Sequence, residues 1–490
     1  MDFLDPKKQK AHRTRLFIGY GLMAVMLGLI TMFLFLRSDG YDVDRKTGKI
    51  IKNGLVFVDS HPESARVLLN GEDKGATDLR LDIPAGDYEL ELRRDGYRSW
   101  KRSFSLEGSF VERFAYPFLF PEKLQTSDSQ LYAQTPKLVT QSPDRHWLVA
   151  QQTGSFTAFD VVDISIQTVP TTVATLPAGL LEPKGAKHDL ELVEWSTDNR
   201  HVVLKHSHDA GSEFFVLDTE DAGSSVNLTK TFATPFSNVI LRDKKFDRYY
   251  LYSETAQTLR VAELANGQTA PLLEKVLAVK SHGDDTLVYV TSDGAAEGKA
   301  LVRVREGSSD YTIRELPAAN NYLLDVARFE NAWYFAVGSA AEQKTYVYKN
   351  PVSAIKRRPD IKPVPVGVLR LTATAESVSF SANARFVAVQ SGSQFSVYDA
   401  ETDRQYRYDT GLQLGTVQRA PWMDGHRLTL VAGDKTVVFD FDGTNKQELS
   451  AAVAGSQAFF DRDYQALYNI APSVTVAGKT ALTRTELRVN

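Results

Sequence analysis

The longest apolar run in the chain occupies residues 16–36, which read LFIGYGLMAVMLGLITMFLFL and contain no charged side chain. At the rise of an α-helix, this run extends about 31 Å, which matches the hydrocarbon thickness of a bilayer. No other segment of the sequence has an apolar run of comparable length. The pattern therefore predicts one transmembrane helix from Leu16 to Leu36, in contact with the lipid bilayer.

Charge is distributed unequally on the two sides of this predicted span. Residues 1–15 contain five Lys or Arg and two Asp, a net charge of +3, whereas basic and acidic residues nearly balance in 37–49. An excess of Lys and Arg marks the cytoplasmic side of a span. We therefore expect a single-pass cell-membrane protein with a cytoplasmic tail at 1–15 and its bulk outside the cytoplasm. A cleaved signal peptide is the alternative, but its apolar region usually has only about 7–15 residues.

After the span, the apolar pattern changes to the period of two that is typical of β-strands. Residues 37–52 are polar and predict a linker. From residue 53 to residue 120, apolar and polar residues alternate, and the Asn-Gly and Asp-Gly pairs within this stretch are typical of turns. The pattern predicts a small all-β module at 53–120, followed by a second linker at 121–135.

Motifs within this module resemble a known family. Residues 62–77 read PESARVLLNGEDKGAT, residues 81–90 read LDIPAGDYEL, and Gly96-Tyr97 precede Trp100. In order and spacing, these motifs resemble the PEGA domain, although the family's namesake tetrapeptide is represented here by Pro-Ala-Gly. The resemblance implies a small β-sandwich in the envelope or on the surface of a prokaryotic cell. It implies no particular ligand or reaction.

The remainder of the chain, residues 136–490, contains a loose repeat of short apolar strands separated by polar turns. A mean step of about 45 residues separates the marker turns, which is the period of a four-stranded propeller blade. The markers are Asp144, Asp198, Asp247, Asp284, Asn331, Asn383, Asp424 and Asp461. The phrases WSTDNRHVVL and VSFSANARFVAV resemble the repeats of TolB-type propellers. We therefore predict a mainly β protein whose C-terminal part is a seven- or eight-bladed β-propeller.

Composition excludes several kinds of chemistry. The chain has no cysteine, and thus no disulfide, thiolate metal site or cysteine nucleophile. The net charge is −4 and charges of both signs are spread along the chain, so the sequence does not indicate a basic surface for nucleic acid. The sequence also lacks a G-x-S-x-G nucleophile elbow, an H-E-x-x-H zinc motif and a phosphate-binding loop. We expect no cofactor.

Two groups of residues stand out as candidate sites. His201, His206 and His208 lie close together, and the last two would share one face of a strand. His206 and His208 are candidate metal ligands, but no accompanying partner is visible in the sequence, so we predict a strand end without metal. The basic triplet Lys356, Arg357 and Arg358 lies in a long, proline-rich connection. It is a candidate interaction loop for an acidic partner or a wall polymer, and a solvated loop is the alternative.

Together these features predict a non-enzymatic envelope or surface protein. Its propeller would act as a binding or scaffolding platform for a protein, a peptide or a wall polymer. The alternative is a propeller-based hydrolase or lyase that acts on envelope glycan or peptide, because propeller active sites are assembled from several blades. The sequence does not determine the oligomeric state.

Overall fold

A computed structural model describes residues 6–38, 41–43, 50–166, 171–182, 184–283, 286–414 and 418–489. The chain divides into two compact units, Met1–Lys123 and Leu124–Asn490.

The predicted apolar helix is present as α1 (Pro6–Ser38). The segment His12–Phe35 is long and apolar enough to cross a membrane, and none of it is buried against the rest of the protein. Leu16 is exposed, and Leu36 lies within the same helix. The Thr31 hydroxyl donates to the Leu27 carbonyl at 2.8 Å, so this polar group needs no partner outside the helix. A signal sequence near the N-terminus has the same features, and membrane placement therefore stays a prediction.

The rest of the first unit is a sandwich of two four-stranded sheets. One sheet contains β1 (Tyr41–Val43), β2 (Ile50–Val58), β5 (Leu79–Pro84) and β8 (Val111–Phe114). The other contains β3 (Arg66–Leu69), β4 (Glu72–Ala76), β6 (Gly86–Arg93) and β7 (Trp100–Leu106). Trp100 is 2% exposed and packs edge-on against Phe114 and Tyr116, so it is a core residue.

The segment 37–52, interpreted as a linker from its polarity, contributes strands to this sandwich. β1 pairs with the first residues of β2, with Tyr41 opposite Lys52. Strand pairing here uses backbone groups and therefore does not require the apolar alternation that the sequence lacks. Residues 39–40 and 44–49 of the segment lie outside the described residues.

The second unit contains a succession of antiparallel sheets, and its described residues form eight. The strands of the first four sheets, grouped by sheet, are β10 (Val139–Gln141), β11 (Trp147–Gln151), β12 (Ala158–Asp163), β13 (Thr171–Thr175); β14 (His188–Trp195), β15 (His201–His208), β16 (Gly211–Asp218), β17 (Val226–Asn227); β18 (Asn238–Leu241), β19 (Arg248–Ser253), β20 (Thr258–Glu263), β21 (Gln268–Leu273); and β22 (Val276–His282), β23 (Thr286–Thr291), β24 (Lys299–Glu306), β25 (Ser309–Pro317). Each of these sheets is a simple meander of four neighbouring strands.

The same meander continues through the second half of the unit. The strands are β26 (Tyr322–Phe329), β27 (Ala332–Ser339), β28 (Lys344–Lys349), β29 (Gly367–Arg370); β30 (Ser377–Phe380), β31 (Phe386–Ser391), β32 (Gln394–Asp399), β33 (Arg404–Asp409); β34 (Arg427–Ala432), β35 (Lys435–Asp440), β36 (Gln447–Ala451); and β37 (Phe459–Phe460), β38 (Ala466–Pro472), β39 (Thr480–Glu486). Short helices interrupt the connections, namely α2 (Leu228–Phe232), α3 (Pro351–Arg357) and the 3₁₀ turns Ala222–Ser224 and Arg242–Lys244.

The ring of sheets is closed by a strand from the beginning of the unit. β9 (Thr126–Tyr132) lies within the segment interpreted as a second linker, 121–135, and pairs with β39 as the outermost strand of the last sheet. Apolar side chains of the last sheet then pack against the first sheet, with Tyr468 among them. The Tyr468 hydroxyl also donates to the Ile164 carbonyl of the first sheet at 3.3 Å. The unit is therefore a closed β-propeller, as predicted.

The marker turns of the repeat lie mainly between the first and second strands of a sheet. There the side chain closes the turn by accepting backbone N–H groups: Asp198 accepts from Arg200 and His201, each at 3.0 Å. The arginine that follows the turn then pairs with an aspartate at the end of the third strand. Arg385 donates two hydrogen bonds, of 2.9 and 2.7 Å, to Asp399, which is 1% exposed. Asp284, another of the markers, lies outside the described residues.

The up-and-down strand order gives the ring two distinct faces. One carries the turns between first and second strands and the connections between third and fourth strands. Residue 124 also lies on this face, because β9 starts beside the end of β39, with Thr126 opposite Thr485. We call this the attachment face. The opposite face carries the connections between second and third strands and those from each sheet to the next.

Candidate functional site

A cleft lies at the channel mouth on the opposite face. It consists of two neighbouring cavities of about 320 and 170 Å³ that share Gln418 and Arg419 in their walls. The walls come from four consecutive sheets: from residues at or just before the start of β26, β30 and β37, and from β34 together with the segment that precedes it. The remaining lining residues are Asn321, Tyr322, Leu323, Leu324, Glu376, Ser377, Val378, Pro421, Thr429, Leu430, Val431, Gly455, Ser456, Gln457 and Ala458.

Amide side chains hold the floor of this cleft in place. Gln390, which is 3% exposed, donates to the Gln418 carbonyl and accepts from the Ala420 N–H, both at 2.7 Å. The Gln418 side-chain amide, oriented with its nitrogen towards a carbonyl, donates to Val431 at 3.1 Å and accepts from Gly455 at 3.0 Å. These bonds link three sheets. The position of the cleft is therefore fixed by buried polar contacts as well as by packing.

The charged groups of the cleft are one guanidinium and one carboxylate. Arg419 donates to the Val378 carbonyl at 3.1 Å and has four further N–H groups. Glu376 accepts from the Gly392 N–H at 3.1 Å and is otherwise exposed. Glycoside hydrolysis typically requires a pair of carboxylates, and Glu376 is the sole Asp or Glu among the lining residues. Hydrogen bonding to a polar chain is the chemistry that this set of groups supports best.

His206, one of the two candidate metal ligands, is completely buried between the first two sheets. Its Nδ1 lies 2.9 Å from Glu213 Oε1, and its Nε2 lies 2.9 Å from His188 Nδ1. The Phe156 ring stacks on the imidazole rings of His188 and His206. Burial lowers the pKa of His206, although hydrogen bonding to Glu213 acts in the opposite direction. Because both ring nitrogens already have partners, His206 has no lone pair directed at a cation.

The other histidines of the motif are also engaged. His208 Nδ1 accepts from the Ala210 N–H at 3.2 Å. His201 lies at the other end of β15, where its Nδ1 is 2.7 Å from Asp198 Oδ2 and its ring stacks on Phe246. Within the described parts of the chain, no three His, Asp or Glu side chains are placed to hold a metal ion.

The basic triplet lies on the attachment face, away from the cleft. Lys356 donates to Glu306 at 2.8 Å and lies over the Tyr311 ring. Arg357 donates to the Ser353 carbonyl of its own helix at 3.2 Å, and Arg358 is exposed. The triplet therefore forms a surface of its own and does not contribute to a site in the channel.

Charged side chains that sequence reasoning missed link the innermost strands on the attachment face. Lys244 donates to Glu194, and Lys280 lies 3.9 Å from Asp325, which also accepts from the Phe380 N–H at 2.9 Å. Because these groups mainly satisfy one another and the backbone of neighbouring sheets, we interpret them as supports of the ring.

Comparison with known proteins identifies the smaller domain. Residues 53–115 match the PEGA domain, which confirms the resemblance inferred from the motifs. No curated protein matches the chain. The sandwich of the first unit is thus a PEGA domain.

Solved structures similar to the chain are propeller proteins of diverse kinds. Dipeptidyl peptidase 4 of Porphyromonas gingivalis is 11% identical, with 73% of this chain and 58% of that chain covered and a TM-score of 0.44. An oligogalacturonate lyase in complex with manganese is 8% identical, with coverages of 72% and 99% and a TM-score of 0.39. The Cps50 (Swd1) β-propeller domain of Myceliophteria thermophila is 11% identical, with coverages of 67% and 100% and a TM-score of 0.38. None of these similarities bears on a ligand or a reaction.

Proposed function

We propose that this protein is a non-enzymatic binding platform of the cell envelope, anchored in the cell membrane by residues 16–36. Its ligand is a peptide, a segment of an envelope protein or a glycan, and it binds in the cleft at the channel mouth. The cleft itself carries the proposal: four sheets contribute to its walls, and it offers amide, hydroxyl and guanidinium groups beside Tyr322 and Leu324. Polar groups of this kind around a few apolar side chains are typical of binding sites for polar chains.

The anchor supports the location. The apolar side chains of α1 are exposed all around the helix, with Phe17 at 82% and Leu22 at 67%. A helix whose residues from Leu16 to Phe35 are apolar on every side and are not buried by the described protein is suited to lipid. The basic residues before it favour a cytoplasmic N-terminus and an exported ring.

Binding is tested with the full-length protein in nanodiscs and a panel of defined peptides and oligosaccharides. For a member of the panel that binds, Arg419→Ala should weaken affinity about 10- to 100-fold, the range of a hydrogen bond to a charged group. Arg407→Ala is the matched control, because Arg407 is exposed on β33 of a neighbouring sheet and does not line the cleft. Equal affinities of the two variants, or turnover of a panel member by the wild type, would contradict the proposal.

A further inference from the structure

An exposed segment on the attachment face combines basic and apolar side chains. We call residues 356–366, KRRPDIKPVPV, the basic loop. Ile361 is 54% exposed, Val364 79% and Val366 40%, which is unusual for branched aliphatic side chains that lie so close together. Three basic residues, Lys356 to Arg358, precede these aliphatic side chains, and Lys362 lies between Ile361 and Val364.

The loop carries an excess of positive charge. Arg357, Arg358 and Lys362 are exposed and have no ion-pair partner within the described part of the chain, whereas Asp360 is the sole acidic residue of the loop. Lys356 differs because it is paired with Glu306. Apart from that pair, the loop has a net charge of +2.

Both ends of the loop are fixed to the ring. At its start, α3 buries Pro351 and Val352 against the neighbouring sheet. At its end, the Val366 N–H donates to the Val347 carbonyl at 2.8 Å, where β29 begins. Three prolines between these points restrict the backbone further. The backbone of the loop therefore has little conformational entropy left to lose on binding.

We propose that the basic loop contacts the surface of the anionic bilayer in which the protein is anchored. A bilayer interface accepts both kinds of side chain at once, because basic groups meet lipid phosphates while aliphatic groups enter the acyl boundary. An acidic peptide would account for the charge but not for the three exposed aliphatic side chains. The loop also lies on the face where the chain from the predicted span joins the ring. A covalent tether to the membrane raises the effective concentration of lipid at that face.

This inference rests on the proposed membrane anchor, and the experiment separates the two. Full-length protein is incorporated into nanodiscs of zwitterionic lipid alone or with anionic lipid added. Since the chain has no cysteine, Val364→Cys places a single environment-sensitive fluorophore in the loop. Val474→Cys is the matched control: Val474 is 56% exposed, and it lies on the opposite face in the connection from β38 to β39.

We expect the probe at position 364 to shift to the blue and to be shielded from aqueous iodide when anionic lipid is present. The probe at position 474 should respond to neither lipid. Replacing Arg357, Arg358 and Lys362 with Glu should abolish the shielding, because each basic residue near an anionic surface strengthens binding about fivefold. Higher salt should weaken it.

Two results would overturn the inference while leaving the anchor intact. The first is a protein that incorporates into the discs but keeps the probe at position 364 in water. The second is shielding of the probe at position 364 that does not depend on anionic lipid or on the basic residues. Shielding that only a competing acidic peptide relieves would count in the same way, because it would indicate a protein partner. Failure of the protein to incorporate into any disc would instead contradict the membrane anchor itself.

Discussion

Replacing Asp128 with Asn should loosen the strand that closes the propeller. Asp128 lies in β9 and accepts from Ser473 Oγ at 2.6 Å and from the N–H groups of Val474 and Thr475, each at 3.0 Å. The Thr475 hydroxyl donates to it as well. One carboxylate thus fastens the first strand of the ring to the β38–β39 hairpin, about 345 residues away in sequence.

The size of the effect follows from the ionised state of this carboxylate. Partial burial acts to raise its pKa, but the hydrogen bonds from Ser473, Thr475 and Val474 prevail and lower the pKa of Asp128 from 3.8 to about 2. At about 1.4 kcal/mol per pKa unit, this difference corresponds to at most about 2.5 kcal/mol. Because Asp128 is partly exposed, solvent screening reduces the figure, and we expect a loss of about 1 to 2 kcal/mol.

Hydrogen exchange on the full-length protein measures this loss where it occurs. At pH 7, Asp128→Asn should speed exchange of the β9 and β39 amides by about 5- to 30-fold, the factor that corresponds to 1 to 2 kcal/mol. Since the folded pKa lies below the unfolded one, the stabilisation is complete above about pH 4 and lost as the pH falls towards 2, where the variant and the wild type should converge.

Asp409→Asn serves as the control. Asp409 is likewise exposed, and a hydrogen bond from the Gly411 N–H lowers its pKa, but it lies in β33 and has no role in ring closure. It should leave β9 exchange unchanged. Uniform acceleration over all sheets in Asp128→Asn, or no acceleration in β9, would refute the assignment of Asp128 as the fastening of the ring.

Three further predictions concern stability and topology. Arg385→Met should lower the free energy of unfolding by about 3 to 5 kcal/mol, because it leaves the buried Asp399 carboxylate without its charged partner. Lys435→Met breaks an exposed ion pair and should lower it by less than about 1 kcal/mol. Equal losses of the two variants in chemical denaturation would contradict this. Burial lowers the pKa of His426 to about 4, so stability should be complete above pH 6.5 and fall by about 2 kcal/mol on acidification to pH 5. His426→Gln should flatten that pH dependence in thermal unfolding, and an unchanged slope would count against it. With the predicted orientation, Val474→Cys should react with a membrane-impermeant maleimide in intact spheroplasts, and labelling only after lysis would reverse the topology.

The features that could be predicted from the sequence are those that depend on residues close together along the chain. The apolar run of residues 16–36, the PEGA motifs and the Asx turns each depend on neighbours within about twenty residues, so a single segment carries the whole signal. β9 was missed for the opposite reason. Its sequence, TSDSQLY, is polar and resembles a linker, and its strand character comes from pairing with β39 at the other end of the chain.

The cleft could not be predicted for a similar reason. Gln418, Arg419 and Glu376 have no distinctive pattern in the sequence, and they come together only because consecutive sheets place the segments that precede β30 and β34 side by side at one channel mouth. The His206 motif shows the converse. Its spacing suggested a ligand pair, but Glu213 and His188, contributed by the neighbouring strands, occupy both nitrogens. Clustering along the chain does not show whether a side chain is still available.

Ring closure by β9 also determines where the tether can act. As the fourth strand of its sheet, β9 lies at the outer edge of the ring, so the chain joins the propeller at its perimeter on the attachment face. The cleft lies at the channel mouth on the opposite face. A pulling force applied through the chain that enters at residue 124 would therefore act first on the β9–β39 pairing and on the Asp128 contacts. It would reach the cleft only through the remaining sheets. On the proposed function, this separation would keep the cleft accessible in an anchored ring, while the Asp128 hydrogen bonds add to the strand ladder at the point of closure.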